Sequence, residues 1–371
     1  MNNKRESLKM LDALRGVTFL GVFMFHTELN VFRTLGGWGV SVFFVLSGFL
    51  MVYSYWEQDR IKVSSVKDNI VFGILKMKKL YPIHIITTLA ASVFLIMGSD
   101  KMEMGECLIR IVSNVFFIQS WFPIEMQSIN TVSWFLCTIF LFYIIFPWIL
   151  CFMEKKYTKK TAWIMLLISV IMMGVIGITG YIIGNELGDW FIYKLPLSRI
   201  WDIFIGCSLG YIYINKEHSL SKRTYTVLEV VAIITVIISN ILVSMVRPKY
   251  NIEHIFIDEV AKTWWSKSFV YICSTCILIY IFAIGKGYLS SLFARKSILH
   301  IAKLSPYAYL ISGVVLQYLK AIYHFIPGIG GGEFAFIYGR WISLTIGLLL
   351  TIIASEIWVR ISNYISTKFH K

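Results

Sequence analysis

Apolar runs about twenty residues long recur from one end of the chain to the other, separated by short polar stretches. A helix needs roughly 20 mainly apolar residues to cross the hydrocarbon of a bilayer. Segments 13–32, 36–56, 80–98, 131–153, 162–183, 196–214, 225–246, 268–285, 303–326 and 335–358 meet that length. The pattern predicts an all-α, polytopic integral membrane protein with about ten transmembrane helices. Segment 104–122 is apolar in its second half but carries Glu106 and Arg110 in its first, which predicts one interfacial or re-entrant helix. No internal repeat, low-complexity segment or long polar block is evident. Residues 1–371 therefore read as a single membrane-embedded domain with no soluble extracytoplasmic domain.

Loop charge orients the spans. If the N-terminus is cytoplasmic, the inner segments are 1–15, 57–79, 154–161, 215–224, 286–303 and 359–371, and they hold 24 of the 35 Lys and Arg residues. That bias follows the positive-inside rule and predicts both termini on the cytoplasmic side. Counting 104–122 as a full span would put Lys155, Lys156, Lys159 and Lys160 outside. The longest outer segments are then 99–130 and 247–267.

Composition agrees: 57% of residues are hydrophobic and 15% charged, against about 25% charged in soluble proteins. The net charge of +14 does not indicate nucleic acid, because the basic residues sit in short loops between apolar runs. The basic N-terminus before an apolar run resembles a signal peptide, but no small-residue cleavage site follows. Six cysteines, all but Cys107 within apolar segments, do not make a disulfide framework. Cys273 and Cys276 have CxxC spacing, yet no second pair or neighbouring His accompanies them, so they read as packing residues of a helix.

Against this background the polar residues inside spans stand out, since ionisable groups in a bilayer are costly and usually face a cavity. Arg15 and His26 are eleven residues apart. On an α-helix that is about 16 Å and within roughly 20° of whole turns, so both share one face. Each has a plain structural reading, Arg15 as a snorkelling anchor and His26 as a hydrogen-bonded core residue; the pair on one face favours a functional channel. GGWGVSVFFVLSGF (36–49) supplies small residues, Ser47 among them, for close helix approach. In KMKKLYPIH (76–84), Lys76 and Lys79 precede Pro82 at a helix start and serve either as positive-inside anchors or as a site for a phosphate-bearing ligand. Ser133-Trp134 opens a span that continues through Tyr143 to Pro147. Arg199 and Asp202, three apart on one predicted helix, are placed to pair. Arg340 and Glu356 lie near opposite ends of the last span.

Arg15 with His26, FFVLSGF (43–49), a basic pair before a Pro, and SWFL…FYIIFP (133–147), in this order, resemble the acyltransferase 3 family over about residues 8–360. The resemblance implies a membrane O-acyltransferase that takes an acyl group from cytoplasmic acyl-CoA, acetyl-CoA by default, to a hydroxyl of a cell-surface glycan or lipid-linked oligosaccharide at the cell membrane, without a metal. Three departures are visible. Lys76 and Lys79 stand where the family often has two arginines; the run from Trp134 to Phe140 lacks the carboxylates common there; and Ser312 replaces a common His after Tyr307-Ala308-Tyr309-Leu310. Under this reading His26 is the general base or acyl carrier, and Arg15 serves in catalysis and, with Lys76 and Lys79, in donor binding. Ser47, Ser133, Trp134, Tyr143, Arg199, Asp202 and Tyr307 are candidates for the substrate cavity. The competing class is a proton-coupled or anion transporter, or a glycan-lipid carrier, using the same Arg and His; against it, no pseudo-symmetric halves are apparent.

Overall fold

The computed structural model describes residues 8–58, 65–97, 104–123, 129–245, 263–265, 269–325 and 333–369. The helices among them are α1 (Lys9–His26), α2 (Leu35–Tyr55), α3 (Val66–Met77), α4 (Tyr81–Met97), α5 (Met104–Val115), α6 (Phe135–Lys156), α7 (Lys159–Ile183), α8 (Asn185–Tyr193), α9 (Pro196–Ile214), α10 (Lys222–Met245), α11 (Tyr271–Ile284), α12 (Tyr288–Phe293), α13 (Lys296–Phe325) and α14 (Glu333–Phe369). No strand occurs among the described residues.

Six of the described helices are long and apolar enough to cross a membrane: α2, α6, α7, α10, α13 and α14. The α3–α4 pair, bent by 68°, makes a seventh candidate if taken as one span. The 18-residue α1 and 19-residue α9 fall outside that set because Lys9, Asp12 and Arg15, or Arg199 and Asp202, dilute their hydropathy. Burial separates the layers. The apolar stretch of α2 is 78% buried, whereas those of α10 and α14 are 22% buried. Ile178, Ile182, Ile237, Leu349 and Ile357 are all exposed. Apolar faces this extensive are stable only against lipid, so the chain is a multi-pass membrane protein with α1, α2 and α9 at its centre.

Glycines set the central contacts. A Cβ at Gly48 would collide with the Ile203 carbonyl of α9, and one at Gly206 with the Val45 carbonyl of α2. Gly210 likewise faces Phe49. Contacts that advance together along both chains make α2 and α9 parallel, backbone against backbone, as small residues permit in bilayers. Gly36 against Phe25 and Gly39 against Val22 and Thr18 run in opposite senses along the two helices and make α1 antiparallel to α2. We expect Gly206→Ala to destabilise the folded protein by about 1–3 kcal/mol, read as a lowered Tm in detergent. The obstacle is main chain rather than a side chain that can rotate away. An unchanged Tm would show that these helices slide apart freely.

The structure departs from the sequence pattern in several places. The first span, predicted over 13–32, ends at His26, because Glu28 adopts φ 61°; the chain then makes a single 3-10 turn, Asn30–Phe32, before α2. Glu28 therefore lies outside the helix that carries His26. Segment 57–79, read as a loop, contains α3, whose Asn69, Gly73 and Met77 are buried one turn apart; Gly73 packs on Ile144 of α6. Segment 104–122 is the 12-residue α5 and a 3-10 turn, Gln119–Trp121. At about 18 Å α5 is too short to span, as its charged first half implied. The span 268–285 shortens to the 14-residue α11. Of the outer segment 247–267, all but Thr263, Trp264 and Trp265 lies outside the described residues. All six cysteines are free.

One buried carboxylate went unremarked in the sequence. Glu229 of α10 accepts the backbone N–H groups of Gly287, Leu289 and Ser290 at 3.0, 3.0 and 3.3 Å and the Ser290 hydroxyl. It satisfies the start of α12, which accounts for a fully buried carboxylate structurally.

Candidate active site

A cavity of about 290 Å³ opens among α1, α2, the α3–α4 corner, α6 and α13. Its lining includes Arg15, Ser47, Lys76, Lys79, Tyr143 and Tyr307. Six of the eleven residues that the sequence singled out thus meet at one place, drawn from five helices and a turn.

Local chemistry explains the convergence. Pro306 within α13 has no N–H for the Ala302 carbonyl, and the Ser305 hydroxyl donates to that oxygen at 2.9 Å. Gly16 sits against the same residue: a Cβ there would stand 2.9 Å from the Ala302 nitrogen. α1 and α13 therefore meet main chain to main chain beside Arg15. Pro147 similarly leaves the Tyr143 carbonyl without its helical donor. The α3–α4 bend, with Pro82 at the second position of α4, turns Lys76 and Lys79 toward the cavity. The Lys76 ammonium lies 4.3 Å from the centre of the Tyr55 ring and 5.4 Å from that of Phe72. These cation–π contacts leave it available to an anion.

Arg15 pairs weakly with Asp12 at 3.4 Å and stays about a third exposed. Three cations thus face one carboxylate partner, and the cavity mouth is net positive. Ser47 donates to the Phe43 carbonyl at 2.7 Å, so its lone pairs remain as acceptors. One side of the cavity is closed by the rings of Phe43, Phe135 and Tyr309, whose centroids are 5.8–6.0 Å apart. Phe43, Phe135 and Tyr309 fall within the family-like runs of the sequence but were not site candidates, because an aromatic residue in an apolar span reads first as packing.

The other candidates lie elsewhere. Arg199 and Asp202 pair at 3.5 Å with side chains 1% and 0% exposed. The Arg199 guanidinium stands 5.2 Å from the Phe44 ring centre and 5.4 Å from that of Tyr193. Trp134 packs on both rings, at 6.1 and 4.8 Å, and Ser133 is fully buried beside it. This cluster does not line the cavity; Phe44 against Phe135 at 4.6 Å separates the two. His26 is not among the cavity's lining residues either. It ends α1, with its ring 5.0 Å from that of Phe25, next to an ion pair between Glu28 and Lys320 of α13. Burial pushes the Glu28 carboxyl up, but Lys320, Arg340 and Arg33 outweigh it and hold the group below its ordinary value. Glu28 is therefore an anion at neutral pH. Arg15 and His26 mark the two ends of α1, about 16 Å apart. Among the described residues no group of three His, Cys, Asp or Glu side chains is placed to hold a metal ion.

The protein is thus a multi-pass helical protein with a cationic cavity at one end of α1. The match to known families is specific. Residues 8–357 fit the model of an acyltransferase domain, acyltransferase 3, and the chain belongs to that family. It is 28% identical to acyltransferase MdmB of Streptomyces mycarofaciens over 55% of this chain and 57% of that one. It is 24% identical to O-acetyltransferase OatA of Staphylococcus aureus over 60% of this chain and 38% of that one. The identity to a putative O-acetyltransferase of Staphylococcus aureus, SACOL0978, is also 24%, over 97% of this chain and 57% of that one. The chain thus spans about half the length of the curated relatives it matches. No solved structure matches it.

Proposed function

We propose that the protein is a membrane O-acyltransferase that carries an acetyl group from cytoplasmic acetyl-CoA to a hydroxyl of a cell-surface glycan or lipid-linked oligosaccharide. The observation that carries this reading is the cavity in which Arg15 of α1 converges with Lys76 and Lys79 of the α3–α4 corner. Convergent cations with a polar-aromatic lining suit the phosphates of a nucleotide thioester. The reading places both termini, the lysine-rich loops and the cavity mouth on the cytoplasmic side, in a ten-span arrangement.

A 290 Å³ cavity lies at the small end of ligand pockets, so it holds part of the donor rather than all of it. Acyl-CoA carries its phosphates and its thioester at opposite ends of a long flexible arm. With the phosphates at Arg15, Lys76 and Lys79, the arm leads past Tyr143 and Tyr307 along α1. The thioester carbon is then attacked by an acceptor hydroxyl whose proton goes to His26. The C–O bond forms, the C–S bond breaks and CoA leaves as the thiolate, taking up a proton. The Glu28–Lys320 pair next to His26 fixes the turn after α1 and offers charge to an acceptor arriving from outside.

Purified protein in sealed vesicles tests the reaction class. With acetyl-CoA outside and an envelope glycan preparation as acceptor, the reading expects free CoA and acetylated glycan in equal amounts. Movement of an anion across the vesicle wall without CoA release would identify a carrier instead and overturn the proposal.

A further inference from the structure

A second cavity lies on the far side of α9 from the cationic one. It has a volume of about 680 Å³ and runs between α7, α9, α10 and α11. Trp163, Val170, Leu209, Leu242, Cys273 and Ile277 are among the residues that line it. Cys273 and Cys276, three apart on α11, both face this groove, which gives the CxxC spacing a packing role rather than a redox one. From Val270 to Ile281, both in the lining, α11 rises about 16 Å. That matches one leaflet of a bilayer with a hydrocarbon core of about 30 Å.

The apolar groove has a polar end. Lys216, just past the end of α9, is the one charged residue among the described residues of its lining, and Tyr280 stands in the same lining. The Tyr280 hydroxyl is buried without a hydrogen-bond partner. Tyr213, His218 and Tyr280 form an aromatic group there, with centroids 4.8–6.1 Å apart. The Lys286 ammonium donates to the His218 carbonyl at 2.6 Å. Segment 215–224 adds Lys222 and Arg223, with Glu217 its one carboxylate. A buried hydroxyl donor and a lysine, set in a net positive corner at the mouth of a leaflet-long apolar slot, call for an anionic head on a long chain.

We propose that this groove is a binding site for an anionic diacyl phospholipid. One acyl chain lies along α11, and the phosphate is held by Lys216 and the Tyr280 hydroxyl. The site shares no residue with the cationic cavity and does not depend on the acyltransfer reading. Its physical consequence is that α7 and α11 are joined across a gap by the lipid, which supports the outer side of α9 while α9 packs on α2.

Native mass spectrometry of the purified full chain, with phosphatidylglycerol or phosphatidylcholine of the same chains added in equal amounts, tests this. One tightly retained phosphatidylglycerol is expected, favoured at least tenfold over phosphatidylcholine. Lys216→Ala with Tyr280→Phe should abolish the preference. Ile277→Trp should lower retention of both lipids by filling the slot. Equal retention of the two lipids, retention unchanged in Ile277→Trp, or a polyprenyl phosphate displacing phosphatidylglycerol would each overturn the assignment. Circular dichroism and the Tm of each variant identify misfolded protein, and Lys216→Arg, which keeps the charge, should restore the preference if the double variant is folded.

Discussion

Arg15→Ala is expected to weaken acetyl-CoA binding by about ten- to a hundredfold while the protein remains folded. Arg15 is the one arginine among the described residues of the cavity lining, and its partner Asp12 is held at 3.4 Å on a half-exposed surface. An arriving phosphate therefore displaces little. A charge-assisted hydrogen bond is worth about 1.5–3 kcal/mol, and each 1.4 kcal/mol is about tenfold in affinity. Arg15→Lys should recover part of the loss, because an ammonium keeps the charge but not the bidentate fork. Lys76→Ala and Lys79→Ala should each cost less than Arg15→Ala, and all these losses should shrink as salt is raised, since the cavity mouth is open to solvent. Titration calorimetry with acetyl-CoA on the detergent-solubilised protein reads all four variants. Wild-type affinity in a folded Arg15→Ala protein would remove the donor site from this cavity.

How much of this was legible in the sequence follows from what each signal depends on. Long apolar runs gave α2, α6, α7, α10, α13 and α14 because span length and hydropathy are local properties. They located α1 and α9 too, although both carry the charges that now lie in or behind the site. What local reading lost were elements whose apolar faces are thin. In α3 only every fourth residue is buried, and Asp68 and Lys76 dilute the rest, so it passed for loop. The end of α1 at His26 depends on the positive φ of Glu28, which no hydropathy pattern registers. The site divides in the same way. Arg15, Ser47, Lys76, Lys79, Tyr143 and Tyr307 come together, but helix periodicity fixed only the shared face of Arg15 and His26, not the depth of the cavity. The cavity follows from backbone contacts at Gly16 and Gly73 and from the proline in α13. Arg199 and Asp202 were read correctly as a pair; that they sit behind Phe44 depends on the register of α2 against α9, which a single sequence does not carry.

The second large effect is expected at His26. His26→Ala should lower kcat for acetyl transfer by about 10²–10⁴, the usual contribution of a positioned proton acceptor, and leave the Kd for acetyl-CoA within about twofold. The split follows from the separation of the two ends of α1: a residue about 16 Å from Arg15 and outside the cavity lining has no phosphate to hold. Its neighbours include the Phe25 ring and the Glu28–Lys320 pair. Glu28→Gln supplies the control. It breaks the pair with Lys320 but keeps the imidazole, and should reduce turnover far less than His26→Ala. Intact-mass measurement after mixing with acetyl-CoA separates two routes through the same residue. A gain of one acetyl group that is lost in His26→Ala would identify an acyl-histidine, whereas no gain with full turnover assigns the imidazole to proton transfer alone. A folded His26→Ala protein that acetylates at the wild-type rate would leave the His26 end of α1 without a chemical role and would return the reaction to the cavity itself, where Tyr143 and Tyr307 are among the proton-bearing side chains of the lining.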